Sequence, residues 1–197
     1  MAFDPEEHHR RSIRRRGGDY SQAGLYFVTV CAAQGKCLFG EIVQDKMALS
    51  DAGQVVKEEW LRTPSVRAEI VLNEFVVMPN HFHGVVAIVK SPRSVLPDDR
   101  AKVWSQKEAG RIRYAPTTKN EFRSPSRTLG AVVRGFKAAV TSRLRAMWGM
   151  PQAEVWQRNY YEHVIRNHED YCRVRDYIIQ NPARWAEDEN NPMKKKG

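Results

Sequence analysis

The stretch Phe75-Val76-Val77-Met78-Pro79-Asn80-His81-Phe82-His83-Gly84-Val85-Val86-Ala87-Ile88-Val89 reads as two apolar strands meeting at Pro79-Asn80, with two histidines opening the second. Side chains alternate across a strand with period two, so His81 and His83 share one face while Phe82 enters the opposite layer. Two imidazoles on a stiff strand end are half of a metal site, because neutral imidazole is a common ligand for divalent transition ions. Strand histidines also occur as partners of backbone groups, so the rest of the chain has to decide between the two.

Working outward, residues 24–31 are rich in aromatic and β-branched side chains, and residues 37–43 follow after a turn around Gly35, which predicts a strand pair. Ser50 or Asp51 caps a helix running to about Arg62, with Ala52, Val55, Val56 and Trp60 on its apolar face. Residues 69–78 and 81–89 read as the third and fourth strands. Residues 91–126 are rich in Pro, Ser, Lys and Arg without a steady period, the pattern of an exposed, mobile insertion. Beyond it, Leu129, Val132, Val133, Phe136, Val140, Leu144 and Met147 recur at helical spacing, with Arg127, Arg134 and Arg145 near the other side. Asn167 caps a last helix that starts at His168-Glu169-Asp170, buries Tyr171, Val174 and Ile178, and stops before Pro182.

At 197 residues the chain suits one domain with appendages. We expect a basic arm at 1–20, a single domain over 21–185 interrupted at about 91–126, and a charged tail at 186–197 closed by Lys194, Lys195 and Lys196. Lys and Arg number 32 against 23 Asp and Glu, and the excess is concentrated between Lys90 and Trp148, where fourteen basic residues face four acidic ones. With the arginines at 10, 11, 14, 15 and 16, this distribution points to a polyanion partner. No apolar run reaches the roughly 18 residues of a membrane span, and no apolar segment follows the early arginines as in a secretory signal. Cys31, Cys37 and Cys172 form no CxxC pair, which fits a reducing, cytoplasmic location and argues against a cysteine zinc site.

The second half of the site is on the last helix. At about 100° per residue, Tyr177 falls on one line with Asp170 and Asn181, beside Arg173. An ion held by His81, His83 and the Asn181 amide oxygen keeps positions open for a phosphodiester oxygen, and Tyr177, one turn away, is placed to attack phosphorus. A free phenol titrates near 10, so a neighbouring cation, the ion or Arg173, is needed to favour the phenolate. A phosphotyrosine link stores the bond energy and allows resealing to another 3′-hydroxyl. Single-stranded or hairpin DNA suits a fixed tyrosine flanked by cations and aromatic faces. Trp156 and Tyr160 are candidates for stacking on bases, or for the core. Two other classes stay open: a DNA-binding regulator of repeat elements that does not cut, and a metal-dependent phosphodiesterase in which water attacks.

The run Val76-Val77-Met78-Pro79-Asn80-His81-Phe82-His83, the segment 156–166 and the run Asp176-Tyr177-Ile178-Ile179-Gln180-Asn181-Pro182 together resemble the REP-associated tyrosine transposases of the HUH single-strand nuclease superfamily. The resemblance runs from about Arg10 to Trp185 without the insertion. It implies an α+β, ferredoxin-like domain with a central antiparallel sheet, and Mg²⁺ or Mn²⁺ on His81 and His83. It also implies Tyr177 as the nucleophile of a 5′-phosphotyrosine intermediate in single-strand nicking and transfer. Related insertion-sequence transposases carry a glutamine four residues after the tyrosine. Here that position is Asn181 and the glutamine is Gln180, which points some 60° or more off the Tyr177 line, so the ligand is assigned to Asn181. Arg14, Arg15, Arg16, Arg127, Arg134, Arg145, His163, Arg166 and Arg173 are the expected DNA contacts. Both a monomer, as the resemblance implies, and a homodimer sharing its tyrosine helices are compatible with the sequence.

Overall fold

The computed structural model describes residues 23–89 and 128–194. The expected arm at 1–20 with Arg14, Arg15 and Arg16, the insertion at 91–126, Arg127, Lys195 and Lys196 lie outside the described residues. Strand β1 (Gly24–Cys31) is the spine of a four-stranded sheet. It pairs with β5 (His81–Ile88) on one side and β6 (Tyr161–Ile165) on the other, and β4 (Ile70–Val77) adds outside β5. Every neighbouring pair is antiparallel, in the order β4-β5-β1-β6, which is the expected α+β, ferredoxin-like arrangement.

Strand alternation divides the molecule into layers. Tyr26, Val28, Val30, Phe82, Val86 and Ile88 face α1 (Asp51–Val66) and α2 (Leu129–Trp148). Leu25, Phe27, Val85, Ala87 and Ile165 face α3 (His168–Gln180), which contributes Ile178. In the first layer Trp60 is fully buried, its ring centroid 4.7 Å from Phe82 and 5.2 Å from Phe136. The strand tip is closed by a tight turn in which the Met78 amide donates to the His81 carbonyl at 2.8 Å.

Two features depart from the sequence reading. Residues 37–43 do not pair with β1, whose two edges are taken by β5 and β6; β2 (Gly40–Val43) instead forms a separate hairpin with β3 (Lys46–Leu49). Gln44 and Asp45 have φ of 49° and 61°. Such a left-handed pair gives a two-residue turn the twist that suits adjacent strands, while the expected turn at Gly35, where φ is 67°, leads the chain away from β1 instead of back along it. The second departure is α1, which continues past Arg62 to Val66. Pro64 forfeits only its own amide, and the helix closes with Arg67 N–H donating to the Thr63 carbonyl at 2.9 Å. No helix among the described residues is long and apolar enough to cross a membrane.

The N-terminus of α1 docks directly on the backbone leading into β2. Ser50 Oγ donates to the Leu38 carbonyl at 2.7 Å and accepts from Gly53 N–H at 3.2 Å, while the Ser50 amide donates to the Phe39 carbonyl at 3.0 Å. A Cβ on Gly53 would lie 2.0 Å from the Phe39 carbonyl oxygen. Glycine to alanine in a helix ordinarily stabilises by about 1 kcal/mol. Here the overlap wins: Gly53→Ala is expected to destabilise by about 2 kcal/mol, read as a lower urea midpoint at unchanged m-value.

Candidate active site

His81 and His83 leave β5 on the α3 face, opposite Cys31 and Thr29 of β1, and both are buried. Phe82 between them is locked in the Trp60 layer, which fixes the pleat and therefore the direction of both imidazoles. Asn80 sets the tautomer of the first. Its amide nitrogen donates to the carbonyls of Gly35 (3.0 Å) and Asn190 (2.7 Å), so its oxygen is the atom facing His81 Nδ1 at 2.9 Å. An amide oxygen only accepts, so Nδ1 carries the hydrogen and Nε2 presents a lone pair. Thr29 Oγ1 lies 2.8 Å from His83 Nδ1 and orients that ring, although a hydroxyl, which donates as readily as it accepts, does not fix its tautomer. The two Nε2 atoms converge to 2.9 Å.

Burial pushes His81 down to about 4, against the pull of Asp188 and Asn181 in the other direction. Burial and the neighbouring His81 lower His83 further. Both rings are therefore neutral near pH 7 and available as ligands.

Tyr177 comes from α3, above Phe27, and its hydroxyl lies 3.3 Å from His83 Nε2. Burial first, then the Asp188 carboxylate, hold the phenol above its usual value, with Asn181 opposing. Unaided, the chain keeps Tyr177 protonated. Asn181 is buried at the end of α3 beside both His81 and Tyr177, and its Oδ1 is buried without a hydrogen-bond partner. Such an orphaned acceptor is costly unless something electropositive meets it.

Asp188 completes the cluster. Its Oδ1 accepts from Asn190 N–H at 2.6 Å, and its Oδ2 lies 3.7 Å from His81 Nε2. One ligand atom from each of His81, His83 and Asp188 falls within 4.8 Å of the others. Two imidazole nitrogens, a carboxylate and an unsatisfied amide oxygen suit a divalent cation. Sequence reasoning missed Asp188 because it lies beyond the last helix, in a segment whose composition reads only as a charged tail. The one available signal was its position eleven residues after the tyrosine, in a run anchored by Trp185.

The remaining candidates divide. Arg173 lines the cleft of about 630 Å³ in front of Tyr177, along with Tyr160, Tyr161 and His163. It faces Asp170, at 3.4 Å, rather than the phenol. His163 Nε2 lies 3.0 Å from the same carboxylate, which also accepts the Arg166 amide at 3.2 Å, tying β6 to α3. Arg134 and Arg145 are on α2, on the far side of the sheet, and do not reach the cleft. Trp156 packs on Phe39 and Phe136 in the core.

An uncharacterized protein of Haemophilus influenzae is 38% identical over 185 residues, covering 92% of this chain and 93% of that one. The two belong to one family. No protein-family profile matches the chain. A solved REP-associated tyrosine transposase bound to a REP hairpin superposes with a TM-score of 0.51 at 21% identity, over 89% of this chain and 74% of that one. This chain has the fold of a REP-associated tyrosine transposase. Within that transposase fold, the histidine pair is carried by the central sheet and Tyr177 by the helix across it.

Docking of that helix rests on Asp170. Burial raises its carboxyl, but the bonds from His163 and the Arg166 amide outweigh that and hold it below its ordinary 3.8. A depressed carboxylate contributes stability above that value and loses it as pH falls through the folded-state value. Asp170→Asn is thus expected to cost about 2 kcal/mol near neutrality and to flatten the acid limb of stability below about pH 4, followed by chemical denaturation across pH.

Proposed function

We propose that the protein is a cytoplasmic, metal-dependent nuclease and strand-transfer enzyme of the tyrosine transposase type, acting on single-stranded or hairpin DNA through Tyr177. The carrying observation is the meeting of the Tyr177 hydroxyl with the neutral His81–His83 pair inside one chain, 3.3 Å from His83 Nε2. The hairpin held by the transposase of like fold supports the substrate class.

His81, His83, Asn181 and Asp188 would hold Mg²⁺ or Mn²⁺. Such an ion, when bound, supplies Lewis-acid polarisation of a phosphodiester oxygen and offsets the charge that otherwise keeps the phenol protonated. Tyr177 Oη attacks phosphorus, forming a P–O bond to the tyrosine as the P–O3′ bond breaks. The phenol gives up its proton and the departing 3′-oxygen gains one, so a transesterification leaves a 5′-phosphotyrosine and a free 3′-hydroxyl. Phe27 stacks on His83 and packs edge-on against Tyr177, restricting the approach of the phenol to one direction. Asn80 keeps His81 Nε2 unprotonated, and Thr29 orients the His83 ring through its Nδ1. His163 of β6 and Arg173 of α3 line the cleft and serve the phosphate backbone, with Arg166, between those two elements, and Arg134 and Arg145 of α2 reaching DNA outside it. Because one chain holds all of these groups, a monomer suffices.

Two measurements test the reading. Mn²⁺ titration followed by electron paramagnetic resonance is expected to give one site per chain, weakened at least about tenfold by Asp188→Asn or Asn181→Ala. Unchanged affinity in both variants would remove them from the ligand set. Labelled hairpin DNA with Mn²⁺ is expected to give a covalent adduct that survives denaturation and disappears in Tyr177→Phe. Cleavage without an adduct identifies water as the nucleophile, and binding without cleavage identifies a regulator.

A further inference from the structure

A second groove, of about 980 Å³, runs between α2 and the loop at residues 149–158. Gln157 lines both this groove and the Tyr177 cleft, so the two adjoin at that residue. Lys137, Arg145 and Arg158 face the groove, against a single carboxylate, Glu154. Lys137 Nζ reaches the carbonyls of Gln157, Arg158 and Asn159 at 2.5, 3.3 and 3.5 Å, and Arg145 Nε donates to the Ala153 carbonyl at 3.0 Å. These bonds fix the loop in place without neutralising either charge. Arg143, on the same helix, is by contrast consumed by Glu58 and Glu59 at 2.7 and 2.8 Å. Ala138, Ser142 and Ala146 give the helix wall short, exposed side chains, leaving room between the cations.

An open groove of this volume, lined by three cations against one carboxylate among the described residues, favours an extended polyanion over an apolar ligand. We infer that it takes the sugar–phosphate backbone of the DNA strand as it continues out of the Tyr177 cleft, so that one strand is gripped on both sides of Gln157. The inference rests on the nuclease reading only for which strand is held.

Binding is measured by fluorescence anisotropy on Tyr177→Phe protein in EDTA, so that cutting and metal play no part. The probes are single-stranded oligonucleotides of about 4 and about 12 nucleotides, short enough to fill one groove or long enough to enter both. The double substitution Ala138→Glu and Ser142→Glu places two carboxylates on the wall at exposed helix positions that tolerate glutamate, with the matching glutamine pair as control. The glutamates are expected to weaken the longer probe about tenfold while the glutamine pair leaves it unchanged. Arg158→Gln is expected to reduce the slope of log affinity against log salt by about 1. The shorter probe, which still has the Tyr177 cleft open to it, should lose at most about twofold in the glutamate variant. Equal affinity of the parent and the glutamate variant for the longer probe overturns the inference. Groove-dependent binding in a protein whose wild type forms no adduct upholds the inference and overturns the nuclease reading alone.

Discussion

Everything at the candidate site depends on the pleat of β5. Phe82 is confined by Trp60 and Phe136 on one side of the sheet, and this confinement obliges His81 and His83 to project together from the other. A shift of one residue in register would bury the imidazoles among aromatics and expose the phenylalanine, so the aromatic layer enforces the geometry of the polar one. The antiparallel partner adds a second constraint, because Thr29 of β1 lies directly opposite His83 and reaches its Nδ1.

The polar shell is built on the same economy. Buried imidazoles are acceptable only when their ring nitrogens find hydrogen-bond partners, and Asn80 and Thr29 supply those partners at the two Nδ1 atoms. What they leave over is a pair of inward Nε2 atoms beside an unsatisfied amide oxygen and a carboxylate. The chain has thus gathered electron-rich atoms at one point, an arrangement that repels itself and attracts a cation.

Much of this was legible in the residues. Runs of apolar, aromatic and β-branched residues marked β1, β4 and β5, and helical spacing marked α1, α2 and α3, with the caps of α1 and α3 at Ser50 and Asn167. The His81, His83, Tyr177 and Asn181 grouping followed from strand and helix geometry together with a family resemblance. The misses have distinct physical causes. The β2–β3 hairpin turns on Gln44-Asp45, where both residues take positive φ without a glycine or asparagine, so no Asn-Gly or Asp-Gly signal marks it. Strand β6 is a five-residue edge with only Ile165 buried, too short and too polar to show a period. Asp188 is positioned by Asn190, Asn191 and Trp185 through local turns, and tertiary placement of a loop carboxylate leaves no periodic trace. The pairing of Arg173 with Asp170 shows the same limit: helix geometry places the two side chains on one edge but does not say which of its neighbours a cation will choose.

The groups that meet at this point come from opposite ends of the sequence order: the sheet supplies its pair at residues 81 and 83, and the closing helix and turns supply theirs at 177, 181 and 188. The cluster is complete only while α3 and the turns after it rest on the sheet, and an excursion that lifts this helix parts Tyr177 and Asn181 from the imidazole pair.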